Sequence, residues 1–258
     1  MDSVEVMTDG IEPVERSALE FDRVSMVFPD GTEATRDVSF SVGLGEFVTI
    51  VGPSGCGKST LLRIASGLLD PTDGSVEVDR QRLGYVFQDA TLLPWRTVQS
   101  NVELLAELHG YTKGERQALA MTAINLVGLQ GFENHYPKTL SGGMKMRVSL
   151  ARTLTLRPPV FLFDEPFGAV DEITRMRLNE ETQEIFKNEG FAGLFITHSI
   201  GEAVFMSTRV LVMSARPGRV VAEIDIPFDY PRKPDLRFDP QFAELSGTVS
   251  AALKEAHT

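Results

Sequence analysis

The chain has 258 residues, 42% hydrophobic and 24% charged, which is enough apolar material for one full core and excludes a disordered polypeptide. Its 25 basic and 36 acidic residues leave a net charge of -11, which argues against nonspecific binding to nucleic acid or anionic lipid. A single cysteine, Cys56, excludes an internal disulfide and fits a reducing compartment, with the cytoplasm as the default.

Residues 1–17 are polar, contain Pro13 and lack periodicity, so a loose tail is expected there, with no basic or apolar region of a signal peptide. Leu19–Phe28 and Ala34–Val42 read as strands joined at Pro29-Asp30-Gly31, a turn that favours a hairpin, and Val76–Val78 suits the same antiparallel layer. Phe47–Val51 is a short buried strand followed by helical patterning at Lys58–Gly67, and Leu83–Phe87 is strand-like. A helical insertion is expected over about residues 89–156, with helices at Val98–Leu108, Lys113–Val127 and Met144–Leu156. Val160–Phe163 and Leu194–Thr197 read as strands ending in polar residues, with an amphipathic helix at Glu172–Asn188 between them. Late strands follow at Arg209–Met213 and Val220–Ile224 around Pro217-Gly218. Residues 227–258 read as a short extension with a helix near Gln241–Ala256, too small for a separate regulatory domain. No stretch reaches the roughly 20 apolar residues that span a bilayer, so membrane contact is expected only through partners.

Gly52-Pro53-Ser54-Gly55-Cys56-Gly57-Lys58-Ser59 satisfies the phosphate-loop pattern between a strand and a helix, the context that the motif requires. Glycines let backbone N–H groups turn toward phosphates, and the following helix N-terminus favours the anion. Lys58 suits the β and γ phosphates, Ser59 suits Mg²⁺, and Thr60 joins the ATP-binding set. Cys56 fills a position that the pattern leaves free and receives no redox or nucleophilic role. At the end of Phe161-Leu-Phe, Asp164 and Glu165 suit a metal partner and a base that polarises the attacking water; adjacent acids at a strand end are otherwise a solvated turn. Leu140-Ser141-Gly142-Gly143 precedes a helix that Ser141 can cap, and its glycines permit close backbone approach to an anion.

The ordered series of phosphate loop, Ser-Gly-Gly signature and strand-end acids resembles the ABC ATPases from about Leu19 to Ile226. That resemblance implies an α/β P-loop NTPase core over residues 18–226, with an antiparallel β subdomain and a helical subdomain. It also implies ATP and Mg²⁺ as cofactors, and hydrolysis of ATP to ADP and phosphate. Two subunits pack head to tail in the family, so Ser141, Gly142 and Gly143 would contact the ATP held by the partner's phosphate loop. Gln88 resembles the glutamine that contacts Mg²⁺ and the transmembrane partner, His198 the switch histidine at the γ-phosphate, Asp171 the loop linking the two sites, and Phe28 the aromatic that stacks on adenine. Without the series, Gln88 would be a surface polar residue, His198 a capped strand end, Asp171 a helix N-cap and Phe28 core. Met144 stands where the family usually has glutamine, which reduces polar contact with a ribose without removing the serine and glycine backbone.

Leu92-Leu-Pro-Trp95 after Gln88, Met144-Lys-Met-Arg, Asp164-Glu-Pro-Phe-Gly-Ala and Met213-Ser-Ala-Arg-Pro-Gly resemble the nitrate, sulfonate and taurine importer ATPases. The resemblance implies a second ATPase subunit, read as a homodimer partner, two permease subunits in the membrane and, indirectly, an extracytoplasmic solute-binding protein. The location implied is the cytoplasmic face of the cell membrane. Leu92, Leu93 and Trp95 suit a groove for a permease helix, against a purely internal packing role. The competing class, a soluble ABC ATPase acting on nucleic acid or ribosomes, predicts long heptads, paired cassettes or basic segments; the chain has one cassette and is acidic.

Overall fold

The computed structural model describes residues 17–256, so the expected N-terminal tail lies outside the described residues apart from Ser17. Strands β1 (Leu19–Val27) and β2 (Glu33–Val42) pair antiparallel. Their turn is closed by Phe28 N donating to Thr32 O at 2.8 Å and Gly31 N donating to Phe28 O at 2.9 Å, with Gly31 at φ 83°. After β3 (Phe47–Val51) and α1 (Lys58–Ala65), β4 (Asp73–Val78) joins the other edge of β1, giving the antiparallel order β2-β1-β4.

The second sheet, to which β3 belongs, continues with β5 (Leu83–Val86), after which the chain leaves it for α2 (Val98–Val102), α3 (Leu104–Leu108), α4 (Lys113–Leu126) and α5 (Gly142–Leu154). It returns through β6 (Val160–Asp164), α6 (Glu172–Glu189), β7 (Ala192–Ile196), α7 (Ile200–Met206), β8 (Arg209–Met213) and β9 (Val220–Asp225), and α8 (Pro240–Glu255) closes the described chain. The order is β5-β6-β7-β3-β8-β9, parallel except for the β8–β9 pair.

Strand alternation divides the core in two. Val48, Ile50, Leu162, Leu194 and Leu211 point to one face, where they pack with α1 and the antiparallel sheet. Phe47, Phe161, Phe163, Phe195 and Val212 point to the other, among α5, α6 and α7. Both faces are apolar, so these strands read as continuous hydrophobic runs. Each fully buried side chain of this size contributes about 2 kcal/mol relative to exposure.

Several boundaries differ from the expected ones for identifiable reasons. The single helix expected at Val98–Leu108 is interrupted by a one-residue turn at Glu103, whose carboxylate accepts from Gln99 Nε2 at 2.8 Å and from Arg116 Nε of α4 at 3.1 Å. Helix α5 starts at Gly142, ahead of the expected Met144, because Ser141 Oγ accepts from Met144 N at 3.3 Å and caps the first turn. β6 includes Asp164, which pairs in register with Ile196. β7 ends at Ile196, so His198 stands two residues beyond the strand. Beyond β9, buried Arg232 ties the C-terminal segment to α7: its guanidinium donates to Val204 O at 2.8 Å, Phe205 O at 3.0 Å and Ser207 O at 2.7 Å. These are carbonyls at a helix C-terminus, where a cation is favoured.

Candidate functional site

The loop between β3 and α1 is held open by its own backbone and by Lys58. Gly57, the N-cap of α1, has φ 100°, and a Cβ there would lie 2.8 Å from Ala34 O, so β2 presses directly on the loop and only glycine fits. Lys58 is buried, and its Nζ donates to Gly52 O at 2.8 Å and Pro53 O at 2.9 Å, with Cys56 Sγ 3.8 Å away. Those bonds bend the loop back over the lysine and keep an ammonium inside the cradle. Burial pushes the Cys56 thiol up, which leaves it unreactive.

Sheet order brings the strand-end acids to this loop. Ser59 Oγ donates to Asp164 Oδ1 at 2.8 Å, and Tyr85 Oη, from β5, donates to Oδ2 at 3.2 Å. Burial, and then the Asp164 charge, push the Tyr85 phenol far up, so Tyr85 remains a donor. Glu165 sits at φ 45°, a left-handed conformation that costs a non-glycine residue on the order of 1 kcal/mol or more. Its N–H donates to Ile196 O at 3.1 Å and its carbonyl accepts from Gly168 N at 3.1 Å, which pins the strained turn. Glu165 Oε2 lies 3.2 Å from His198 Nδ1, and the histidine side chain is 59% exposed. Thr197 and Ser199, on either side of His198, are fixed by Glu202: Thr197 Oγ1 donates to its carboxylate and Ser199 Oγ accepts from its N–H.

A cavity of about 270 Å³ lies over this arrangement, lined by Ser54, Gly55, Gly57, Lys58, Ser59 and Thr60 of the loop and first turn of α1, by Phe28 just beyond β1, by Ala34 of β2, and by Glu165 and Arg216. Phe28 is half-buried and contributes to the cavity wall. Asp164 lies behind Ser59 and does not line it.

The signature occupies a different place. Ser141, Gly143 and Met144 line a second cleft of about 240 Å³ with Arg147, Ile173, Thr174 and Arg177, and no residue is common to both cavities. Gly142 is exposed beside it. A Cβ on Gly143 would lie 2.6 Å from Thr174 Cγ2, so a glycine is needed where α5 meets α6. Asp171 caps α6, accepting from Thr174 N at 3.0 Å and Thr174 Oγ1 at 2.7 Å; those bonds hold its carboxyl below the usual carboxylate range. The local role weighed for Asp171, an N-cap, is therefore present in the chain.

Gln88 is exposed just beyond β5 and does not line the first cavity. Leu92 packs on the core, the Leu93 backbone is tied to Asn101, and Trp95 is 70% exposed. Arg152, deep in α5, donates to Thr91 O at 3.0 Å and Ala90 O at 3.1 Å, so the signature helix holds the segment that follows Gln88. Sequence reasoning missed Tyr85, Arg152, Glu202 and Arg216. The Met213-Ser-Ala-Arg-Pro-Gly motif was the one available signal for Arg216.

A family model described as ABC transporter matches residues 35–168, about half of the chain. The chain belongs to the ABC transporter family. It is 44% identical over 230 residues to an uncharacterized ABC transporter ATP-binding protein of Methanocaldococcus jannaschii, covering 86% of this chain and 85% of the relative. It is equally 44% identical over 230 residues to the taurine import ATP-binding protein TauB of Rhizobium johnstonii, covering 84% of this chain and 87% of that protein. Among solved structures, the dimeric post-hydrolysis state of the ATP-binding cassette MJ0796 with ADP and Pi is similar at TM-score 0.72 and 30% identity, over 82% of this chain and all of that one. CbiO1 of Clostridium perfringens shares the fold at TM-score 0.76 and 24% identity, over 93% of this chain and 96% of that one. This ABC protein is an ATPase with the mixed α/β P-loop fold, and among its described residues no helix is long and apolar enough to cross a membrane.

Proposed function

We propose that this ABC ATPase powers a membrane importer for a small solute such as taurine, a sulfonate or nitrate, working as a homodimer at the cytoplasmic face of the cell membrane. The observation that carries the reading is the near-full-length similarity to a taurine import ATP-binding protein. Two permease subunits would receive the motion, and an extracytoplasmic solute-binding protein would select the solute. Deleting the gene should abolish uptake of one of these radiolabelled solutes, with restoration by the wild-type gene but not by a Glu165→Gln copy; undiminished uptake of all three would reject the solute class, and ATPase activity stimulated by nucleic acid would favour the soluble alternative.

In this reading Gly52, Pro53, Ser54, Gly55, Cys56, Gly57, Lys58, Ser59 and Thr60 hold the triphosphate, and Phe28 stacks on adenine. Ser59 and Asp164 supply hard oxygen donors 2.8 Å apart, which suits Mg²⁺, and Gln88 would complete the set after movement toward the cavity. Among the described residues no group of three or more His, Cys, Asp or Glu could hold a metal alone, which fits an ion shared with phosphates and water. Bound Mg²⁺ would neutralise charge on the transferred phosphoryl group. Glu165 accepts the proton of the attacking water, and His198, 3.2 Å from it, orients that carboxylate and contacts the γ-phosphate. Ser141, Gly142 and Gly143 contact ATP on the second subunit, consistent with a signature cleft that shares no residue with the phosphate-loop cavity. Asp171 links the two sites at the interface.

Leu92, Leu93 and Trp95 form the permease docking surface. An indole 70% exposed beside a segment pinned from within by Arg152 is a rigid apolar contact of the kind that interfaces use. Trp95→Ala is expected to reduce co-purification of the permease at least about tenfold while leaving ATP affinity unchanged. Normal assembly of the variant would remove Trp95 from the interface.

A further inference from the structure

The segment Met213-Ser-Ala-Arg-Pro-Gly connects β8 to β9 and lies across the phosphate loop. Gly218 locks it in place: its N–H donates to Ala34 O at 2.9 Å, its carbonyl accepts from Arg36 N at 3.0 Å, and any side chain there would run into Cys56 O. The turn is thus wedged between the phosphate loop and β2. On it Arg216 is exposed, with Nε and Nη2 donating to Gly55 O at 3.1 and 3.0 Å, and it lines the same cavity as Lys58, Ser59 and Phe28. The charge of Arg216 also reaches Asp30 in the turn after Phe28, where it adds to the stronger effect of the Thr32 hydrogen bonds in holding that carboxyl low.

Lys58 and Arg216 are the cationic side chains of the cavity wall. Five N–H donors are available to a guanidinium, and Gly55 O occupies two of its nitrogens, so further donors remain for a ligand. A planar cation fixed by the loop carbonyl is pre-organised for phosphate oxygens, which it engages with more geometric fit than an ammonium does. We propose that Arg216 is a nucleotide-binding residue that contacts the polyphosphate of ATP from the wall of the cavity it shares with the buried Lys58. The proposal rests on the nucleotide reading of this cavity.

The test uses the full-length protein and displacement of a fluorescent ATP analogue by MgATP and by magnesium tripolyphosphate. Arg216→Gln removes the charge and the guanidinium fork while leaving an amide N–H that can still donate to Gly55 O. Arg216→Gln is expected to weaken both competitors by the same factor, about tenfold, and to flatten the salt dependence of binding. Arg216→Lys should retain most of the affinity, and Arg216→Glu should lose more than Arg216→Gln. Wild-type affinity in both Arg216→Gln and Arg216→Glu would reduce Arg216 to a loop tether and overturn the proposal. Weakening of ATP with tripolyphosphate unchanged would overturn it in favour of a base contact. Lys58→Ala serves as the reference: if that variant binds ATP normally, the nucleotide reading of the cavity fails, whatever Arg216 does.

Discussion

Glu165→Gln is expected to bind ATP with wild-type affinity and to turn it over at least about 100-fold more slowly, the lower end of what a positioned general base contributes. The substitution is nearly isosteric, so the left-handed turn, the Ile196 carbonyl bond and the Gly168 contact should survive. An amide oxygen can still face His198, but it cannot take the proton of the attacking water. The variant should therefore accumulate with ATP bound, and if each ATP lies between two chains it should elute as a dimer in MgATP and as a monomer without nucleotide. Single-turnover phosphate release and size-exclusion chromatography measure the two effects separately. Near-normal turnover would exclude Glu165 as the base, whereas slow turnover without dimer formation would keep the base and remove the shared site.

The second large effect is expected at Asp164. Both of its oxygens already accept hydrogen bonds, one from Ser59 and one from Tyr85. Asp164→Asn replaces one acceptor with an NH₂ group, which then faces a hydroxyl that had been donating, and removes the negative charge beside the loop. Magnesium-dependent hydrolysis should fall about 100-fold or more, with a higher Mg²⁺ requirement at fixed ATP. Tyr85→Phe provides the control, because it removes one donor and keeps the carboxylate; a loss of about tenfold or less is expected, since the net value of one hydrogen bond is about 1 kcal/mol. Magnesium titrations of the steady-state rate distinguish the cases, and an Asp164→Asn variant with an unaltered Mg²⁺ dependence would exclude Asp164 from the metal's surroundings.

The features legible from the residues are those whose physics is local. The phosphate loop is a contiguous run whose glycines, lysine and serine act within a few residues of one another, and the apolar run before it and helical pattern after it establish the strand-loop-helix context. Ser141 as a cap follows from its position ahead of Gly142, and Asp171 as a cap from its position ahead of Glu172. Strand boundaries slipped by one or two residues, β6 running on to Asp164 and β7 covering Ala192–Ile196, because hydrophobic patterning marks buried residues whereas strand limits follow the backbone pairing of Val160 with Ala192 through Asp164 with Ile196.

Other features depend on which strands become neighbours, and no local period carries that information. The order β5-β6-β7-β3-β8-β9 brings Tyr85 to Asp164, joins Glu165 to His198 across 33 positions, and lays the β8–β9 turn over Gly55. Gly143 is required by Thr174 on another helix, and Arg152 supports Thr91 from 61 positions away. The placement of signature and phosphate loop on separate cavities was likewise a matter of packing, since the helices from α2 to α5 leave the sheet after β5 and rejoin it at β6. The sequence by itself determined which groups this ABC ATPase has for binding phosphate, because those groups act through neighbouring backbone. Only the tertiary structure decided which of them meet, because sheet order and helix packing set the distances between residues that are remote in the chain.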